Sequence, residues 1–263
     1  MDLGIKGKVA LVTGGTRGIG KSIAIKLAEE GARVVVTSRS KSQIDEFIRE
    51  NNQNYEYEFF GIQNSLKVVE LDLLFLELSK VNLHVDILVN NAGDTLGITD
   101  PFCGLVEWQE VIDLNFMVPV ELSRRLLPRM IKYNWGRIVN ITSCAGLENS
   151  GPVTFSSSKA AITAYTRSMG RVLATVAQNV VMTAVFPGVV ATKGGHWDEI
   201  LKTDPKRAEK YLSERCPLGR FGQENEVADT VVFYCSEKVS FSHGAIVPAD
   251  GGQSKHYMSH NYL

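Results

Sequence analysis

From Lys8 almost to the end of the chain, apolar runs of strand length alternate with stretches of helix length whose apolar positions recur every three to four residues. This alternation is the pattern of a parallel sheet with helices on both faces, because such strands are buried on two sides and each covering helix on one. The runs predict strands at Val9 to Thr13, Arg33 to Thr37, Lys67 to Leu71, Ile87 to Asn90, Gly136 to Ile141, Val180 to Phe186 and Ala245 to Pro248. Helices are predicted at Gly18 to Glu30, Gln43 to Asn51, Leu105 to Tyr133, Ser157 to Ala177 and Glu224 to Ser236, with a helical flap from His196 to Glu214. The expected fold class is therefore α/β, a doubly wound sheet of about seven parallel strands. All 263 residues are expected in a single domain, since α/β folds commonly run past 200 residues undivided.

Two stretches depart from the pattern. If the third strand is Lys67 to Leu71, only the eleven residues Leu74 to His84 remain to cross back to Val85-Asp86-Ile87-Leu88. A parallel crossover usually takes a dozen or more, so a short or irregular helix is expected. Upstream, Asn51 to Asn64 is polar and aromatic and reads as an elaborated loop.

Charge and cysteine content narrow the partners. With 28 basic and 29 acidic residues the chain has no global field to recruit nucleic acid or an anionic membrane. Small molecules and copies of itself are the expected partners. Cys103, Cys144, Cys216 and Cys235 are widely spaced without a C-x-x-C pair, which argues against structural zinc and against a disulfide framework and fits a reduced cytoplasm. Met1 to Lys8 is short and mixed, with no cleavable apolar leader, and no membrane-length apolar span follows. A soluble cytoplasmic protein is the expectation. His256 and His260 share i, i+4 spacing but have no carboxylate or cysteine beside them, so no metal is expected there, and the aromatic tail is expected to pack across a subunit interface.

Behind the first strand stands Thr13-Gly14-Gly15-Thr16-Arg17-Gly18-Ile19-Gly20, and an amphipathic helix opens directly after it. Glycines in that position let the backbone turn sharply and approach a pyrophosphate, whose charge meets free N–H groups and the positive end of the helix dipole. The T-G-x-x-x-G-x-G spacing resembles the short-chain dehydrogenase/reductase family. So do Asn90-Asn91-Ala92-Gly93, the ordered positions Asn115, Ser143 and Lys159, Pro187-Gly188 with Thr192, and Asp250-Gly251-Gly252. The resemblance implies a Rossmann-type fold. It implies cofactor contacts from Gly14, Thr16, Arg17, Gly18 and Ile19, from Asp72 and Leu73 beside the adenine, and from Asn91, Ala92 and Gly93. It further implies contacts from Lys159 on the ribose and from Pro187, Gly188, Val190 and Thr192 around the nicotinamide. At the end of the second strand Val36-Thr37-Ser38-Arg39-Ser40 lacks a carboxylate for a free 2′-hydroxyl, whereas Ser38, Arg39 and Arg17 suit a 2′-phosphate. NADP is therefore favoured. NAD is the alternative if Arg39 is a solvated strand-end cation and Arg17 touches only the pyrophosphate.

Phe155 is the departure from the family pattern. Phe155-Ser156-Ser157-Ser158-Lys159 has the Y-x-x-x-K shape with the phenol missing. In the family that phenol exchanges a proton with the substrate oxygen while hydride moves at carbon. The lysine one turn on lies on the same helix face, favours the phenolate and holds the ribose hydroxyls. Ser143 would hydrogen-bond the substrate oxygen and Asn115 would hold a relaying water. Phenylalanine keeps the ring and cannot move a proton, and losing such a group typically costs about 10²–10⁴ in rate. Two accounts follow: an oxidoreductase inactivated by an engineered Tyr-to-Phe substitution, or a non-catalytic dinucleotide-binding relative serving as sensor or assembly partner.

Residues 193 to 217 read as a substrate lid, with Gly194-Gly195 as its hinge. Trp197 is a candidate to cover a ring or sugar face. His196, Lys202, Lys206, Arg207 and Arg215 are candidate anion contacts, although five acidic residues are interleaved as on an ordinary solvated helix. A sugar derivative, a 3-oxoacyl compound and a small ketone all stay open as substrate. The long helices correspond to those that pair family members, which implies a homo-tetramer or dimer.

Overall fold

The central parallel strands of this chain are buried on two sides by helices that the same sequence supplies in turn. The computed structural model describes residues 1–148 and 150–254, so the tail with His256 and His260 lies outside the described residues. Seven parallel strands form one sheet in the order β3-β2-β1-β4-β5-β6-β7. They are β1 (Val9–Val12), β2 (Arg33–Ser38), β3 (Phe60–Gln63), β4 (Ile87–Asn90), β5 (Gly136–Ile141), β6 (Val180–Pro187) and β7 (Ile246–Ala249). The helices are α1 (Gly18–Glu29), α2 (Lys41–Asn51), α3 (Leu71–Lys80), α4 (Leu105–Ile112), α5 (Val118–Lys132), α6 (Val153–Val176), α7 (His196–Thr203), α8 (Pro205–Arg215) and α9 (Glu224–Tyr234).

Side-chain alternation along the strands sorts the core into two layers. Ala10 and Val12 of β1 and Ile87 and Val89 of β4 meet Ile23 and Leu27 of α1 and Val227 and Val231 of α9. Val9 and Leu11 of β1 and Leu88 of β4 face the opposite layer, built from Leu74 of α3, Leu122 and Met130 of α5 and Leu173 of α6. The strand order reverses between β1 and β4, and there the loops at the C-terminal strand ends part to leave a crevice.

The third strand lies earlier than Lys67 to Leu71. β3 is Phe60–Gln63, inside the stretch read as an elaborated loop, and pairs Val35 with Phe60 through Ser38 with Gln63. As an edge strand it is only partly buried and so carries little apolar signature. Val68–Glu70 forms a 3-10 turn into α3, where Leu71, Leu74 and Leu78 make a buried helical stripe. The crossover thus spans residues 64–86 and holds a ten-residue helix. Among the described residues no helix is long and apolar enough to cross a membrane.

Arg137 is the second residue of β5 and is fully buried. Its Nε donates to the Ser236 carbonyl at 2.7 Å, Nη1 to the Gly136 and Asn179 carbonyls at 2.8 and 2.7 Å, and Nη2 to Asn179 Oδ1 at 2.9 Å. Burial pulls its pKa down to about 10, which leaves it charged at neutral pH. It therefore ties β5 to the segments before β6 and after α9. Arg137→Met is expected to cost about 2–4 kcal/mol in urea unfolding, by orphaning buried carbonyls, and Arg137→Lys to recover only part because it lacks the planar fork. A loss below about 1 kcal/mol, the net value of a single hydrogen bond, would contradict this role.

Candidate functional site: a crevice at the C-terminal strand ends

The turn after β1 and the turn after β4 are bound to one another. Thr13 Oγ1 accepts the Asn91 and Ala92 amides, each at 3.0 Å, while Asn91 Nδ2 donates to the Thr13 and Gly14 carbonyls at 2.9 and 3.2 Å. Gly20 completes the junction: a Cβ there would stand 2.3 Å from the Gly14 carbonyl oxygen, so no larger residue fits. Arg17 is the N-cap of α1 and gives it no side-chain cap, which leaves first-turn N–H groups free for an anion.

A cavity of about 1190 Å³ opens over this junction. It is lined by Gly14, Thr16, Arg17, Gly18 and Ile19 from the first turn, Ser38 and Arg39 after β2, Asn91, Ala92 and Gly93 after β4, and Pro187, Gly188 and Thr192 after β6. Ser143, Phe155 and Lys159 line it as well. Val190 does not: it bridges to Gly222 and faces a smaller neighbouring cavity.

Asp72 and Leu73 are corrected by the structure. Both lie in the first turn of α3, away from the cavity, with Leu73 exposed and Asp72 paired to Arg125 at 2.6 Å. The displaced third strand is the cause. The segment that follows the true β3 and lines the cavity is Asn64-Ser65-Leu66 with Lys67. Asn64 Nδ2 donates to the Glu70 carbonyl and its Oδ1 accepts the Leu66 amide, which shapes that loop, and Leu66 takes a positive φ of 56°. Phe60-Gly61-Ile62, a β-branched and aromatic run ending in Asn-Ser, was the available signal.

At the other end of the cavity Ser143, Asn115, Phe155 and Lys159 come together. Ser143 stands two residues past β5 and accepts the Ala145 amide at 3.1 Å. Asn115 sits in a five-residue π-helical segment, Asp113–Met117, between α4 and α5. Its Nδ2 donates to the Asp94 and Val111 carbonyls at 2.8 and 2.9 Å, and its buried Oδ1 has no partner among the described residues. Gly93 marks how close the groups are: a Cβ there would lie 2.7 Å from Asn115 Oδ1 and 2.8 Å from Lys159 Nζ.

Phe155 and Lys159 are one turn apart on α6. Lys159 Nζ donates to the Ile141 carbonyl at 2.9 Å and lies 5.5 Å from the Phe155 ring centroid. Burial pulls the Lys159 pKa down to about 8. Among the described residues no tyrosine lines the cavity. Tyr165, ten residues on, packs edge-on against Phe116. The neighbouring Cys144 thiol is no substitute acid, because burial pushes its pKa up to about 12.

The segment after β6 differs from expectation in its aromatic. Trp197 does not reach the cavity. It packs against Tyr211 at 4.3 Å, His196 at 5.3 Å and Phe221 at 5.4 Å, and so joins α7 to α8. Of the candidate anion contacts, only His196 lines the cavity; Lys202 pairs with Asp198, and Lys206, Arg207 and Arg215 lie elsewhere. Lys193 lines the cavity and was not anticipated. Gln253 pins this segment, donating to Tyr211 Oη at 3.0 Å while accepting the Val189 amide at 2.8 Å. Among the described residues no group of three or more His, Cys, Asp or Glu is arranged to hold a metal ion.

The chain belongs to the short chain dehydrogenase family, whose model matches residues 8–198. It is 38% identical over 254 residues to the 3-oxoacyl-[acyl-carrier-protein] reductase FabG of Aquifex aeolicus, covering 96% of this chain and 99% of that protein. The FabG of Thermotoga maritima is 31% identical over 257 residues, covering 94% and 98%. Among solved structures, the L-sorbose reductase of Gluconobacter frateurii complexed with NADPH and L-sorbose superposes with a TM-score of 0.89 at 27% identity, covering 98% of this chain and 100% of that one. The NADP complex of RhlG from Pseudomonas aeruginosa gives 0.84 at 27% identity, covering 95% and 98%.

Lys159 makes a pH-dependent contribution. Its pKa is near 10.5 when unfolded and about 8 when folded, so the folded state binds fewer protons between those values and stability rises with pH there. The benefit is complete above about 10.5 and lost as pH falls through about 8. Relative to Lys159→Met, the wild type is expected to gain up to about 3 kcal/mol from pH 7 to pH 10.5 in chemical denaturation. A flat difference would contradict a buried, titrating amine.

Proposed function

We propose that this chain is an NADP-dependent oxidoreductase of carbonyl and hydroxyl compounds whose proton-transfer step is disabled by Phe155. The observation that carries the reading is that Phe155 lines the cavity beside Ser143 and Lys159, with no tyrosine lining it among the described residues. The residues fit a dinucleotide: the close approach at Gly20, the uncapped start of α1 and the cavity-lining Arg17 and Arg39 suit a pyrophosphate and a 2′-phosphate. Neither arginine has an ion-pair partner among the described residues, which leaves both available. The relatives solved with NADPH and NADP support the same cofactor.

When bound, the nicotinamide supplies or accepts hydride at the substrate carbon. Ser143 Oγ donates to the carbonyl oxygen, and Lys159 Nζ holds the ribose hydroxyls with the N–H bonds not spent on Ile141. Asn115 Oδ1 accepts from a water beside Lys159, which satisfies the otherwise orphaned oxygen. The substrate oxygen still needs a proton, and the Phe155 ring has none to give. Residues 193–217 act as the lid over the substrate, with Trp197 as its internal aromatic anchor. The substrate is a sugar derivative or a 3-oxoacyl compound, the two classes that the relatives handle. Exposed Leu105, Val106, Val172 and Val176 on α4 and α6 suit burial in a homo-tetramer or dimer. The free thiols Cys103, Cys144, Cys216 and Cys235 suit the cytoplasm.

Retention of Ser143, Asn115 and Lys159 in one place favours an inactivated enzyme over a lineage specialised for binding. Phe155→Tyr is expected to raise NADPH oxidation by about 10²–10⁴ with a sugar or 3-oxoacyl substrate, with the NADPH dissociation constant unchanged. Intact NADPH binding without any gain across both classes would favour the sensor or assembly reading. Arg39→Ala is expected to weaken NADPH about tenfold, the value of a lost charge-assisted bond, and to leave NADH untouched. Equal weakening of both would remove Arg39 from the 2′-phosphate.

A further inference from the structure

The cavity holds more positive charge than the motifs account for. Besides Arg17 and Arg39 it is lined by Lys67 and Lys193, and among the described residues none of the four has an ion-pair partner. They fall into two groups by position. Arg39 follows β2 and Lys67 follows β3, at the end where a 2′-phosphate belongs. Arg17 and Lys193 flank the start of α1, one just before it and the other from the segment after β6.

The second placement rests on a direct contact. Thr192 Cγ2 stands 3.4 Å from where a Cβ on Gly18 would sit, so Thr192 lies against the first residue of α1 and Lys193 follows immediately. The backbone beyond it is fixed: Gly194 takes a φ of 69° and donates its amide to Asp198 Oδ2 at 2.8 Å. The charge of Lys193 reaches the carboxylates of Glu50 and Asp198. Glu50 is held by Lys21 at 2.8 Å and Asp198 by Lys202 at 2.7 Å. Lys193 is thus a cation without an ion-pair partner among the described residues, lining a cavity where free helix N–H groups already favour an anion.

We infer that Lys193 is a cofactor-binding residue that pairs with the pyrophosphate of the dinucleotide, opposite Arg17 across the start of α1. The inference rests on the dinucleotide reading above and adds to it a ligand from the proposed lid. Because residues 193–217 begin with Lys193, the charge of the cofactor draws the first residue of that segment onto the site.

The test measures binding by fluorescence titration and thermal melting for the wild type, Lys193→Met and Lys193→Arg. The probes are NADPH, NADH and adenosine 2′-monophosphate, which has the 2′-phosphate and neither phosphate of the pyrophosphate. Lys193→Met is expected to weaken NADPH and NADH by the same factor, about fivefold at low salt, to leave adenosine 2′-monophosphate unchanged, and to lose its effect at high salt as the charge is screened. Lys193→Arg is expected to retain wild-type affinity for all three. Unchanged dinucleotide affinity in Lys193→Met, a loss confined to NADPH and adenosine 2′-monophosphate, or a loss undiminished by salt would each overturn the assignment. A wild type that binds none of the three would instead defeat the dinucleotide reading itself.

Discussion

The bond set between Thr13 and Asn91 is the constraint on which the site depends. It links the turns after β1 and β4, the two strands between which the sheet reverses direction, through four hydrogen bonds of 2.9 to 3.2 Å. Each is worth only about 1 kcal/mol in net stability. Their greater effect is positional: they hold the glycine turn against Ala92 and Gly93, so that the start of α1 and the groups around Asn115 face the same crevice. The glycine turn and the cluster around Asn115 then share one cavity because one junction fixes both.

The second half of the site is fixed from α6, independently of any phenol. Asn90 Nδ2 donates to Asn140 Oδ1 and Asn140 Nδ2 to Thr166 Oγ1, both at 2.8 Å, a buried ladder from β4 through β5 to α6. Lys159 adds its bond to the Ile141 carbonyl. Neither tie involves residue 155, whose ring is half-buried at the cavity wall. Exchange of a hydroxyl for hydrogen at that position leaves the supports of the site in place. Ser143, Asn115 and Lys159 are therefore brought together without support from residue 155, and under the proposed reading the chain lacks one oxygen atom there.

Legibility in the sequence followed burial. The central strands, flanked by helices on both faces, announced themselves as apolar runs, and β1, β2, β4, β5 and β6 lie where those runs are. The glycine turn, Asn91, Ser143 and Lys159 were legible because their spacing is tied to strand ends. β3 was not, since an edge strand needs few apolar residues, while Val68, Val69 and Leu71 read as a strand although Leu71, Leu74 and Leu78 complete a helix. That single shift moved the cavity-lining residues expected after the third strand from Asn64-Ser65-Leu66 to Asp72 and Leu73. Trp197 was misjudged for a different reason: an aromatic residue in a flap gives no sign of whether it faces substrate or, as here, Tyr211 and Phe221. Lys193 went unnoticed because its importance lies in which carboxylates are already taken, a property of three-dimensional pairing.

The central claim is that a complete NADP site surrounds a centre lacking only its acid. Direct titration of the unaltered chain with NADPH and with NADH, at 0.15 M salt and neutral pH, tests it most directly. The account predicts saturable binding of both with NADPH clearly the tighter, since Arg39 has no ion-pair partner among the described residues and lines the end of the cavity where a 2′-phosphate belongs. Saturable binding of neither, or tighter binding of NADH, would contradict it.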